Sequence, residues 1–532
     1  MVSWTADIES LQTRHFLLHG WGKLQGSGEP PSKAWLESRR GGDGGVGKIP
    51  AIFGKLHRSD DGHYTNIDFV LYGALEETHG TQDEFSLVLE WPDGKRMHLI
   101  TPPPRRAPPS RGMARVMALP WKHYFTRGMQ LVRHGQSGLL LGKLARMIPA
   151  FFSSGWDPMR LLQWVEMEGK PLALVIDHDL GGGANLYRYS LMDRLATEGF
   201  APILLSAHHG ILAYQLVAKR GRRTRTAHVE DLNVLFEALS GANFGRVVFN
   251  NILSFPAPIA LADVLTNWLR QKGIEQFIFL VHDHYCICPS WLLLNDAGKY
   301  CGIPDTSVCA SCLPANASPF LEFARGIDIV SWRAAWGALL QEAGEIRCFS
   351  NATRNLLLRA HSEVNRERVS VVPHTLHHVR LRQVVLKDPG WPVIGVIGHI
   401  GYHKGGAVVR DLANYIRIAG KKARIVVIGT IEYDLPKESA TITGPYRPEQ
   451  LPEILETHGV NIGFFPSICP ETFSYVTEEM IMMEIPILVF DLGAPGERVS
   501  AYGRGLVIPP GGSESIMDAV DKLYQTHIRN LP

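Results

Sequence analysis

The sequence predicts an α/β protein made of two doubly wound parallel-sheet domains, preceded by a small all-β module. Three observations carry this expectation. From about residue 170 onward, short apolar runs alternate with longer helical stretches. The first hundred residues instead read as strands separated by Gly-rich turns. Between the two patterns lies TPPPRRAPPS (101–110), where proline is dense enough to disfavour both helix and central strand. The expected organisation is a β-sandwich-like module over 1–101, a basic linker and helical connector over 102–168, a first sheet domain over 169–385 and a second over 386–532.

In the amino-terminal module, FLLHGWG, AWLESRR and EFSLVLEWPDGKRMHLI have strand composition, and Phe85, Leu87 and Leu89 alternate ahead of a Pro92-Asp93-Gly94 turn. GGDGGVG (41–47) reads as a mobile loop. The first sheet domain is read from LALVID (172–177), APILLSA (201–207), RVVFNN (245–250), FIFLVHD (277–283), IRCFS (346–350) and VSVVPH (369–374). The second is read from PVIGVIG (392–398), ARIVVIG (423–429), NIGFFPS (461–467), IPILVFD (485–491) and LVIPP (506–510). Such continuous apolar runs suit strands covered on both faces by helices.

Composition narrows the function classes. The chain has 532 residues, 45% of them hydrophobic, and 54 Lys+Arg against 52 Asp+Glu give a formal net charge of +2. That balance argues against a dedicated nucleic-acid binder, and nucleic acid is not an expected partner. The amino terminus lacks a basic start followed by an apolar run, and no apolar stretch is long enough to span a bilayer, so the expected location is cytoplasmic. Locally the charge is uneven: from Pro102 to Trp156 there is no acidic residue, while nine Lys and Arg from Arg105 to Arg146 alternate with aromatic and aliphatic residues. This stretch reads either as a solvated connector or as a surface for anionic lipid headgroups on the inner face of a membrane. AKRGRRTRT (218–226) is a second basic cluster, read as a solvated hairpin that can meet an anionic acceptor.

The chemistry-bearing residues fall where strands end. Gly181, Gly182 and Gly183 follow the first strand and open a helix from about Ala184, which lets backbone approach a ligand or simply makes a turn. A nicotinamide fingerprint fits poorly, because Leu186 stands where a third Gly or Ala belongs and the second strand ends in Ser206-Ala207. His282 ends the strand FIFLVHD, and Asp283 is placed to orient it or to pair with a nearby base. Lys404 lies in GHIGYHKGG (398–406), after the first strand of the second domain. Beyond NIGFFPS, Glu471 occupies the loop and Glu479 is expected about two turns into a helix whose Val476, Met480 and Met483 face the sheet. That pair reads either as a ligand site or as a helix-end charge plus a solvated face residue. Cys288, Cys301, Cys309 and Cys312 form C-x12-C-x7-C-x2-C, with Cys286 nearby; the spacing is compatible with a structural zinc or with reduced, packed thiols.

The segment E-T-F-S-Y-x3-E, followed by I-P-I-L-V-F-D and G-A-P-G-E-R, resembles the donor-binding signature of glycosyltransferase family 4 (group 1 glycosyltransferases), with Glu471 and Glu479 as its E-x7-E pair. The likeness runs over about residues 170 to 525. It implies a GT-B architecture of two Rossmann-like doubly wound domains facing a cleft. It also implies transfer of a hexosyl or deoxyhexosyl group from a nucleotide-sugar donor to a glycan or lipid-linked glycan, with retention of configuration and no metal or other cofactor in catalysis, in bacterial surface polysaccharide or O-antigen synthesis. Under the same resemblance the catalytic set is His282, Lys404 and Glu471. The donor-binding set is Gly181, Gly182, Gly183, His399, Gly401, Lys404, Thr472, Phe473, Ser474 and Glu479, with the amides of Thr472–Ser474 meeting the diphosphate. Many family members carry Arg where this chain has His399; His403 is the nearest substitute. A non-catalytic glycan-binding or scaffold protein, or a nucleotide-sugar epimerase, on the same fold are the alternatives.

Overall fold

The computed structural model describes the strand segments between Trp4 and Arg106 and most of residues 156–531; residues 107–155, 179–181, 209–212, 376–380 and scattered shorter stretches lie outside the description. The basic connector therefore falls almost wholly outside it, as do Gly181 and most of the expected loop 41–47. In the amino-terminal region, strands at Ile52–Asp60, Tyr64–Ala74, His15–Gln25, Trp4–Ser10 and Arg105–Arg106 form one sheet, and Val46–Pro50, Lys33–Arg39, Glu84–Glu90 and Arg96–Ile100 form another. Arg105 and Arg106 pair in parallel with Glu9 and Ser10 at a sheet edge, so part of the Pro-rich linker is strand, in the edge position where neighbouring prolines are tolerated.

After α1 (Pro158–Glu166), the first sheet domain contains β1 (Leu172–Ile176), α2 (Gly183–Thr197), β2 (Ala201–His208), β3 (Ala213–Arg220), β4 (Arg223–Val229), α3 (Leu232–Ser240), β5 (Phe244–Phe249), α4 (Pro258–Lys272) and β6 (Phe277–Leu280). It continues through α5 (Thr306–Ala315), α6 (Ile329–Glu342), β7 (Glu345–Cys348), α7 (Asn351–Ala360) and β8 (Val369–Val371). The sheet order is β4-β3-β2-β1-β5-β6-β7-β8. All pairs are parallel except β2–β3 and β3–β4. The basic cluster 218–226 is thus an edge hairpin. Arg225 lies over Trp156 and Trp164, so its guanidinium covers two indoles.

The second domain contains β9 (Val393–Ile400), α8 (Gly406–Ile418), β10 (Arg424–Ile431), β11 (Ala440–Ile442), α9 (Leu451–Thr457), β12 (Ile462–Phe465), α10 (Tyr475–Met482), β13 (Ile487–Phe490), α11 (Gly493–Ser500), β14 (Gly505–Ile508) and α12 (Ser513–His527). Its six parallel strands run β11-β10-β9-β12-β13-β14. Chain order therefore reverses between β9 and β12. In an open parallel sheet that reversal sends the neighbouring connections to opposite faces and leaves a crevice at the strands' carboxyl ends. The first sheet has its reversal between β1 and β5. Both reversals face the same seam. This is the GT-B arrangement of two parallel-sheet α/β domains. Met480 and Met483 are fully buried against the second sheet, as their spacing predicts. α10 is shorter than expected before its glutamate: Glu479 is its fifth residue, little more than one turn in. Among the described residues no helix is long and apolar enough to cross a membrane.

Candidate functional site

The loops after β9 and β12 are locked together. Ile468 N–H and Ser467 Oγ–H both donate to the carbonyl of His403, at 3.1 and 3.3 Å. Gly405 has φ +78°, and a side chain there would collide with the carbonyl of Pro466, so glycine is required both by conformation and by the close approach. These contacts bring Lys404 beside Glu471. Burial pushes the Glu471 carboxyl above its ordinary range, while the ammonium of Lys404 and the hydroxyl of Ser467 pull the other way. Glu471 Oε1 is buried and has no hydrogen-bond partner among the described residues. Its backbone is held from the other side by Ala494 N–H, which donates to Glu471 O at 2.8 Å.

Glu479 is 6% exposed, and desolvation raises its carboxyl to about 7. Its charge also raises the already buried phenol of Tyr446. Ser474 caps α10 by accepting from Thr477 N–H at 3.2 Å. The side chains of Thr472 and Phe473 point across the seam. Thr472 Oγ–H donates to the carbonyl of His282 at 2.7 Å, and the ring of Phe473 meets His374 at 4.5 Å. His399 turns towards the second strand, with Nδ1 2.7 Å from Thr430 Oγ1 and Nε2 3.1 Å from Glu432 Oε1. Gly401 faces that Glu432 carboxylate: a Cβ would lie 3.0 Å from it. His403 sits edge-on to Trp291 of the first domain at 5.7 Å, and burial, with Lys404 nearby, lowers it to about 4.

Across the seam the first domain presents groups paired with one another. His282 Nε2–H donates to Asn250 Oδ1 at 3.0 Å, and its ring is covered by Phe349 and His374. Burial holds the imidazole well below its usual range, so it is neutral. Asp283 accepts from Asn251 Nδ2 and from Tyr285 N–H, both at 2.8 Å. It secures its own turn, and the contact to His282 comes from Asn250. Asp177, fully buried, binds Asn185 at 2.7 Å and Arg188 at 3.1 Å, and desolvation raises it to about 6. Gly182 takes φ +87° ahead of α2, and a Cβ on Gly183 would lie 2.9 Å from the ring of Tyr475. His284 Nε2–H donates to Pro470 O at 2.8 Å. Between Asn250, Asn251, His282, Asp283 and Trp336 a cavity of about 10 Å³ remains, room for roughly one water.

The structure thus gathers Lys404, Glu471, Thr472, Phe473 and Ser474 with His282 and Gly183, while His399 stands apart on the β10 side. Sequence reasoning missed Tyr187, Asn250, His284, Phe349, His374 and Tyr475, which build the seam. His374 does end a quoted strand run, but nothing in its spacing marks it. Of the two readings of the cysteines, reduced and packed thiols are the one supported. Cys288, Cys301, Cys309 and Cys312 influence one another electrostatically, yet burial pushes Cys288 up to about 12 and raises Cys301 and Cys309, which favours protonated thiols. Among the described residues no group of three or more His, Cys, Asp or Glu is placed to hold a metal ion.

Residues 379–530 match the family model of glycosyl transferases group 1. That stretch spans the second sheet domain from β9 to α12. A stretch of 248 residues, 44% of the chain, is 26% identical to the GDP-mannose-dependent alpha-mannosyltransferase of Mycobacterium tuberculosis; it spans 61% of that relative's length. Similar solved structures include sucrose-phosphate synthase from Thermosynechococcus elongatus, at 15% identity and TM-score 0.45 over 67% of this chain and 90% of the other. A second is Anabaena HepE in complex with UDP, at 12% identity and TM-score 0.41 over 66% and 90%. The catalytic domain of Arabidopsis thaliana starch synthase IV, bound to ADP and acarbose, is similar at 9% identity and TM-score 0.41 over 68% and 92%. Lys404 and Glu471 lie together on the loops of the second sheet domain, at its point of strand reversal.

Proposed function

We propose that this protein transfers a sugar from a nucleotide-sugar donor to a glycan or lipid-linked glycan acceptor, with retention of anomeric configuration. The observation that carries the reading is the buried, unpartnered Oε1 of Glu471 beside Lys404, where the loops after β9 and β12 meet. A buried acceptor without a donor is costly unless a ligand supplies one, and sugar hydroxyls do. Lys404 stabilises the charge that develops on the departing diphosphate, and the amides at the head of α10 assist. Glu479 accepts hydrogen bonds from the ribose hydroxyls. The leaving phosphate takes the acceptor's proton, so no protein base is needed. His282, held neutral and oriented by Asn250, closes the cleft over the donor sugar together with Gly182 and Gly183. The acceptor is bound on the first domain, and the acid-free stretch 102–156 rests on anionic lipid at the inner face of the membrane during surface-polysaccharide synthesis.

The test is a thermal-shift panel of nucleotides and nucleotide sugars, with GDP-mannose among the first, since ligand at about a hundred times its dissociation constant stabilises by about 2.7 kcal/mol. The hit is then incubated with acceptor lipid extracts, and the anomer of the product is read by NMR. Stabilisation by a nucleotide sugar and an unchanged anomer support the proposal. Glycan binding with no response to any nucleotide would instead make the chain a glycan-binding protein.

A further inference from the structure

The ten-residue helix α7 of the first domain starts at Asn351, directly after Phe349 and Ser350. Ser350 caps it in part by accepting from Thr353 N–H at 3.1 Å. The remaining donors of the first turn are met from the other domain. Glu497 on α11 accepts from Asn351 N–H at 3.1 Å, from Asn351 Nδ2 at 2.8 Å and from Ala352 N–H at 2.8 Å. A carboxylate on a helix amino terminus combines charge-assisted hydrogen bonds with a favourable dipole. This one joins two domains.

What lies at each end gives the contact its meaning. Beginning with Gly493, α11 lies against the backbone of Glu471: a Cβ on Gly493 would be 2.5 Å from Glu471 O, and Ala494 N–H bonds that oxygen. One residue beyond Glu497, Arg498 grips the carboxylate of Glu478 on α10 through two nitrogens. In the other direction, α7 leads back to Phe349, whose ring stacks on His374 at 4.0 Å and covers His282 at 4.5 Å. A shift of α7 relative to α11 therefore moves the His282 side of the cleft relative to the Glu471 side.

We propose that Glu497 is a positioning residue, a clasp that forms as the domains close and sets Glu471 and Lys404 at working distance from the His282 face. Its kinetic arm rests on the transfer activity proposed above. The groups proposed to hold the nucleotide and diphosphate, Lys404, Glu479 and the amides at the head of α10, lie in the second domain, and His282, Gly182 and Gly183 meet only the sugar. Loss of the clasp therefore leaves most donor affinity in place and lowers turnover, because about 1 Å of misplacement is enough for a 10²-fold loss.

The experiment compares wild type with Glu497→Ala, Glu497→Gln and Asn351→Ala by small-angle scattering with and without nucleotide sugar, donor titration calorimetry, and steady-state kinetics. Expected for Glu497→Ala are a larger radius of gyration, a donor dissociation constant within about twofold of wild type, and kcat lower by roughly 10-fold to 10²-fold. Glu497→Gln keeps one acceptor oxygen and falls between; Asn351→Ala removes one donor and has the smallest effect. Unchanged compactness with unchanged kcat overturns the proposal, and so does lost donor affinity at unchanged kcat. If Glu497→Ala does not fold, the two milder variants carry the test. If wild type transfers no sugar, the proposed activity fails while the scattering comparison still reads the clasp.

Discussion

The two faces of the cleft anchor their buried polar groups to different extents. On the first domain, Asp177, Asp283 and His282 are each engaged by a neighbouring side chain, and although Asp177 Oδ1 and His284 Nδ1 lack a partner among the described residues, each of those side chains is anchored through its other polar atom. On the second domain, Glu471 Oε1 has no partner among the described residues, and Glu479 has a carboxyl raised to about 7 by burial. The first face is built to hold a shape. The second carries an electrostatic deficit that a ligand can repair, and such unrepaired groups mark where binding energy is available.

The sharpest way to break this comparison is to remove the cation. Lys404→Ala is expected to lower kcat by about 10²-fold or more with an unchanged melting temperature, as measured by steady-state kinetics beside calorimetry. Unaltered kcat would place the working electrostatics elsewhere. A second probe concerns the acid on the same face. The folded pKa of Glu479, about 7, lies above its ordinary 4.5, so the folded state holds the proton more tightly. Stability from this group is full below about pH 4.5 and is lost as pH rises through 7. Glu479→Gln should therefore stabilise the ligand-free protein by about 2 kcal/mol at pH 8 and by little at pH 4.5, read by urea unfolding at both pH values. An equal effect at both would show that desolvation is not the cause.

A smaller effect is expected from propping the seam. In Gly183→Val the new side chain meets the Tyr475 ring, which should cost about tenfold in kcat while donor affinity, measured by calorimetry, stays put. Loss of affinity instead would move the Gly-rich turn into the donor site proper. The mildest test returns to the first face. Burial lowers His374 from 6.5 to about 3, so the unfolded chain takes up its proton first, and the stability it gives above pH 6.5 is lost as pH falls towards 3. His374→Phe keeps the stack on Phe349 without the ionisation, and should retain about 1 kcal/mol more stability than wild type at pH 5.5 relative to pH 7.5. Parallel pH profiles for the two proteins would remove that role.

Much of the fold was legible because buried parallel strands must be continuously apolar and the turns between them need Gly or Pro. LALVID, PVIGVIG and NIGFFPS all became strands on that ground. Where the reading failed, a local pattern met a distant partner. Arg105 and Arg106 look like linker and become strand only because Glu9 and Ser10 offer them an edge. The spacing of the cysteines allowed a metal site, but spacing does not reveal that the thiols would be desolvated.

By itself, then, the sequence determined which segments become strands and helices, and hence that Lys404 and Glu471 lie on loops at strand ends. Those are consequences of periodicity and of the special residues at turns, which act over a few positions. Only the tertiary structure decided that Glu471 keeps an unpartnered oxygen, that Asn250 and not Asp283 holds His282, and that Glu497 reaches the amides of a helix 146 residues away. Desolvation and hydrogen-bond partnership depend on what packs against a group. That is fixed by the order of strands in the sheets and the closure of one domain on the other, and no short window of sequence contains it.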